Sequence, residues 1–163
     1  LALSYAAWQH NDLDRIASLN EYLQASRETA ELQLEDIQMG RSLNKLLVAL
    51  DLSPPVLEVP SFVTQFAFAG VAWGISLEDL MIGFCFSWLE NQVSVATKIV
   101  PLGQSAAQRL LAELSVEIEQ AVSTLQPLAL DADSKKWNFG QSLPGLAILS
   151  SRHETQESRL YRS

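Results

Sequence analysis

Apolar side chains recur three and four positions apart through almost every segment of the chain, and that spacing confines the fold to packed helices. In "NDLDRIASLNEYL" the apolar positions Leu13, Ile16, Leu19 and Leu23 share one face behind a capping Asn11 or Asp12. In "SRETAELQLEDIQMGRSLNKLLVAL" the stripe runs Ala30, Leu34, Ile37, Leu43, Leu47 and Leu50, with Ser26 expected as the N-cap. The prolines of "DLSPPVLEVP" must end that helix, because proline cannot continue one. Further helices are expected over about 61–73, 77–99, 104–126 and 143–158, and the opening "LALSYAAWQH" has the look of a helix interior. No segment alternates with period two between turn dipeptides. The expected fold is all-α: a single irregular multi-helix domain, residues 1–163, around a buried central helix, with 150–163 as a tail. The central helix is expected in "LEDLMIGFCFSWLENQVSVATKIVP", apolar nearly all round from Leu80 to Leu89.

Charge removes several functions. The net charge of -8 has the wrong sign for gripping phosphates or coating anionic lipid, so no nucleic acid and no membrane surface is expected as partner. No apolar run reaches the length of a membrane span. The acidity is uneven: residues 1–133 carry six Lys/Arg against seventeen Asp/Glu, and residues 134–163 carry five against two. A basic end on an acidic body suits an acidic partner or folds back on its own domain. The single cysteine, Cys85, cannot form an internal disulfide and sits among Phe84, Phe86 and Trp88, an inert setting that fits a cytoplasmic protein.

Catalytic constellations are lacking. His153, Glu154 and Glu157 spell H-E-x-x-E where a zinc peptidase needs H-E-x-x-H, and the other histidine, His10, has nothing tying it to that face. His153 and Glu157, four apart, would share a helix face, so a metal-dependent hydrolase is the alternative enzyme reading. No metal site, cofactor or catalytic residue is assigned. Glu28, Glu31, Glu35 and Asp36 are expected to form a solvated acidic face. Gly40 and Gly83, both expected within helices, call for close helix approach, inside the domain or across a dimer seam. The polar end of the central helix (Glu90, Asn91, Gln92, Thr97, Lys98) either emerges into solvent or forms a contact site with "PLGQ". Beyond Leu149 the tail has too little apolar surface to offset its ordering entropy, so it is expected to fray unless a partner covers it. A purely structural helical module is the third reading.

Three stretches, "ASRETAELQLEDIQMG", "WLENQVSVATKIVPLGQSAAQRLL" and "SSRHETQESRLYRS", closely resemble the UreF family of urease accessory proteins, in that order and at suitable separations. The family's usual Pro-Gly-Gly-Phe-Ser-like opening is absent, and Glu157 stands where many members have an aromatic. The resemblance implies an all-helical cytoplasmic protein, commonly a homodimer, that is not an enzyme. It implies binding to a second accessory protein (UreD, also called UreH), recruitment of the nickel-carrying GTPase UreG, and docking on apo-urease for GTP-dependent nickel insertion. By position, it implies that Arg152, His153, Glu154, Thr155, Gln156, Ser158, Arg159, Leu160, Tyr161 and Arg162 engage UreD and help shape the UreG surface. Lys98, Pro101, Gly103 and Gln104 become candidates for GTPase contact. Arg27, Glu28, Thr29, Glu31, Met39 and Gly40 are assigned first to folding or dimer packing.

Overall fold

The computed structural model describes residues 1–130 and 143–157, the last four residues of the first span by their helical backbone alone. Seven helices run through them: α1 (Ala2–Gln9), α2 (Leu13–Ala25), α3 (Ala30–Ala49), α4 (Phe62–Ala72), α5 (Leu77–Ile99), α6 (Gln104–Leu130) and α7 (Pro144–His153). No strand occurs among the described residues, so the all-α expectation holds.

The boundaries follow local chemistry. Asp12 caps α2 by accepting the Arg15 backbone N–H at 3.0 Å, and Asn11 makes the preceding turn with φ of 51°. Ser26 is not the cap of α3: it ends α2, and Thr29, three residues on, accepts the Leu32 N–H instead. Ser76 caps α5 through the Asp79 N–H, and the short link before it turns at Gly74, whose φ of 66° suits a residue without Cβ. The proline-bearing segment between α3 and α4 is strapped down by α2. The Asn20 carboxamide donates to the Val59 carbonyl and accepts the Ser61 N–H, each at 2.8 Å.

The main core gathers Tyr5, Ala7 and Trp8 of α1, Ile16 and Leu19 of α2, Ala67 of α4 and Leu80 of α5. Two aromatic side chains anchor it through their polar tips: Trp8 Nε1 donates to the Thr64 carbonyl at 2.9 Å, and Tyr5 OH donates to the Ile75 carbonyl at 2.7 Å. A second apolar cluster lies apart from it, between α5 (Leu89, Val93) and α6 (Ala107), walled by Leu111, Leu114 and Ile118.

The buried helix is not the one the sequence singled out. Within Leu80–Leu89 of α5 only the two end residues are buried; Phe86 is 39% and Trp88 63% exposed. The buried helix is α4, where Val63, Thr64, Gln65, Ala67, Ala69 and Gly70 are all covered. Small residues let its neighbours close in, as where Leu80 methyls stand under 3 Å from the position a Gly70 Cβ would take. An apolar circumference states what a helix tolerates; burial depends on how many elements the chain lays against it. Gly40 has the close neighbour expected, since a Cβ there would stand 2.1 Å from the Pro60 carbonyl oxygen. Gly83 does not: nothing lies within 4 Å of its Cβ position.

Candidate partner-binding surfaces

Two of the stretches picked out in the sequence meet in space, although more than 120 residues separate them. The N-terminal turn of α3 carries Thr29 as its cap, and the Thr29 hydroxyl also lies 2.8 Å from that of Ser150 on α7. The Glu154 carboxylate accepts the Glu31 backbone N–H at 3.3 Å, supplying a negative charge where the helix dipole favours one. His153 Nδ1 then lies 2.7 Å from Glu31 Oε2. These polar contacts fasten α7, which buries none of its own residues. Leu146, Ile148 and Leu149 on it, and Leu143 at its N-cap, are 48–66% exposed.

This corrects two expectations. The described part of the tail is held past Leu149, because α7 continues to His153 and Glu154 is tied to α3. The last helix nevertheless stops short of 158, and Glu157 lies beyond it, so His153 and Glu157 do not share a helix face. Ser158, Arg159, Leu160, Tyr161 and Arg162 lie outside the described residues. Arg152, Thr155 and Gln156 are exposed, the Thr155 hydroxyl donating to the Arg152 carbonyl at 2.9 Å.

The acidic stretch of α3 is likewise not a uniform solvated face. Asp36 is buried, and its Oδ1 receives the Arg27 guanidinium at 3.2 Å and the Phe62 N–H at 3.3 Å. It therefore neutralises Arg27 and caps α4 at once. Glu28, just before α3, and Glu35 on it are exposed, and Met39 of α3 is 43% exposed. Asp36 was the member of the cluster with a distinct role, and no local sequence pattern marks it.

A second surface is the apex between α5 and α6. Lys98, Pro101, Gly103 and Gln104 are all exposed there. The turn is tight, with the Leu102 N–H donating to the Val100 carbonyl at 2.6 Å. Beside them Ile99 and Val100, which sequence reading passed over, are 63% and 55% exposed. Their place between Lys98 and a helix-ending proline was the signal. The apolar cluster of α5 and α6 lies beneath this apex, so its residues project from a packed base.

No group of three or more His, Cys, Asp and Glu side chains that could hold a metal ion occurs among the described residues. His10 is engaged locally, its Nδ1 lying 2.8 Å from the Ala6 carbonyl oxygen. Burial pushes the Cys85 thiol above its usual pKa, away from nucleophilic use. No described helix is long and apolar enough to cross a membrane.

Comparison with known proteins gives a consistent picture. The family model for UreF matches residues 1–115. A urease accessory protein UreF of Chromohalobacter salexigens is 46% identical over the whole chain, which spans 70% of that relative. One from Teredinibacter turnerae is 48% identical over 98% of the chain and 71% of its own length. One from Marinomonas is 42% identical over the whole chain and 69% of its own length.

Proposed function

The chain belongs to the UreF family of urease accessory proteins, and from that membership we propose that it joins UreD (UreH) to the GTPase UreG on apo-urease, where it modulates GTP-dependent nickel insertion. Its place is in urease maturation, as an accessory protein and not as an enzyme. In this reading the tail from Arg152 to Arg162 takes UreD, and the apex of Lys98, Pro101, Gly103 and Gln104 meets the GTPase. The protein acts in the cytoplasm.

The observation that supports this best is the placement of the matched blocks. The first block and the tail converge at the N-terminus of α3, through His153, Glu154 and Glu31, while the middle block forms an exposed apex on the α5–α6 hairpin. The described helices thereby offer two separate surfaces, which is what a protein joining two partners needs. Homodimer formation belongs to the same proposal, with the outer face of α5 around Gly83 and Phe86 as the seam. Both residues are exposed, and the space at Gly83 admits a second backbone.

Co-purification with UreD and UreG, with and without nucleotide, tests the reading. Removing residues 152–163 should abolish UreD capture while helicity by circular dichroism persists. Lys98→Ala should weaken UreG recruitment without changing the fold. A truncated chain that still captures UreD and supports urease activation refutes the tail assignment.

A further inference from the structure

Between α3, α4, α5 and α7 runs a groove of about 910 Å³, set apart from the apex and from the His153–Glu31 contact. One wall is the α3 face of Leu32, Glu35 and Met39; the other is the α5 face of Phe84, Trp88 and Asn91. Each wall repeats at i, i+3 or i+4, and i+7, two helical turns, so each is about 10 Å long. Leu146 of α7 lies along the groove. Met39, Trp88 and Leu146 are 43%, 63% and 48% exposed, an apolar concentration that no other described residue covers.

The charges on the walls choose the occupant. Arg27 is the one cation among the lining residues and is held by Asp36. Glu35 on α3 and Glu90 on α5 are both exposed, and neither pairs with a cation among the described residues. A second copy laid two-fold on this groove would set those carboxylates against their own equivalents. We propose that the groove is a docking site for a basic amphipathic helix of another protein, its apolar stripe seated against Trp88, Met39 and Leu146 and its Lys or Arg side chains reaching Glu35 and Glu90. This is the helix-in-groove mode, with apolar anchors giving affinity and the acidic walls giving orientation. The proposal does not depend on the roles given to the tail or the apex.

The test titrates the full chain, isotope-labelled, with a fourteen-residue Leu/Lys model helix and with its Leu/Glu counterpart. The Leu/Lys peptide should shift the Trp88 indole N–H and the Met39 and Leu146 methyl signals. Its affinity should fall about tenfold or more in a Glu35→Gln, Glu90→Gln double variant, and again on raising salt. Trp88→Ala should remove the apolar anchor; the two exposed Glu→Gln changes keep the test decisive if that variant folds poorly. Equal binding of both peptides, or shifts mapping elsewhere, overturns the proposal. So does concentration-dependent self-association that covers the groove, which would make a second copy the occupant. Groove signals that move when the chain is ended after Glu157, with no peptide present, would assign the site to the chain's own basic end and equally overturn it.

Discussion

His153 Nδ1 lies 2.7 Å from Glu31 Oε2, joining α7 to the first turn of a helix 122 positions earlier in the chain. The two side chains are 37% and 30% exposed, so solvent screens the pair and its worth to global stability is below about 1 kcal/mol. Its effect is local, because α7 buries no residue and is held to α3 by this contact together with the Thr29–Ser150 and Glu154–Glu31 hydrogen bonds. His153→Ala is expected to leave the unfolding midpoint nearly unchanged and to speed amide hydrogen exchange across 144–153. Unaltered exchange there would show that the contact does not hold α7.

Asp36 is a different case, since it is buried and serves two donors. Asp36→Ala strands the Arg27 guanidinium and the Phe62 N–H together. Because Arg27 is itself 35% exposed, the expected loss is about 2 kcal/mol, below the figure for a fully buried pair. Asp36→Asn keeps an oxygen for the Phe62 N–H and should lose less. Urea denaturation of the two variants checks the order.

The two helical glycines should respond with opposite signs. Gly40→Ala forces a methyl group onto the Pro60 carbonyl and is expected to destabilise by roughly 2–3 kcal/mol. Gly83→Ala meets open space and should gain up to about 1 kcal/mol in helix propensity. If copies pair across Gly83, the same substitution weakens self-association in sedimentation while thermal stability of the single chain rises.

Cys85 should alkylate more slowly at neutral pH than a cysteine in the unfolded chain, because burial raises its pKa and lowers its thiolate fraction. The folded state holds that proton more tightly than the unfolded one. Its contribution to stability is therefore constant below the unfolded thiol's pKa and declines as pH rises above it. Rates with iodoacetamide, native against denatured, provide the measurement.

Helix number and most boundaries were legible in the sequence because periodicity and capping chemistry are local. Leu13, Ile16 and Leu19 announce α2, and the prolines after Leu52 announce the break before α4. What was not legible depends on partners distant in the chain. Nothing near Asp36 says that Phe62 will need its carboxylate, and nothing near Glu31 says that His153 will return to it. The burial of α4 over α5 has the same origin. It is decided by α1 and α3 both packing against α4, which no single-helix pattern encodes. That the first matched block and the tail lie against each other came only with the fold.

The unbroken span of α5 unites two hydrophobic clusters in one rod: Leu80 is rooted in the first, and Leu89 and Val93 in the second. A force applied at Lys98 therefore acts on a lever whose far end is clamped beside Gly70. Torque at the hairpin tip would be delivered to the last turn of α4 instead of being dissipated in a loop.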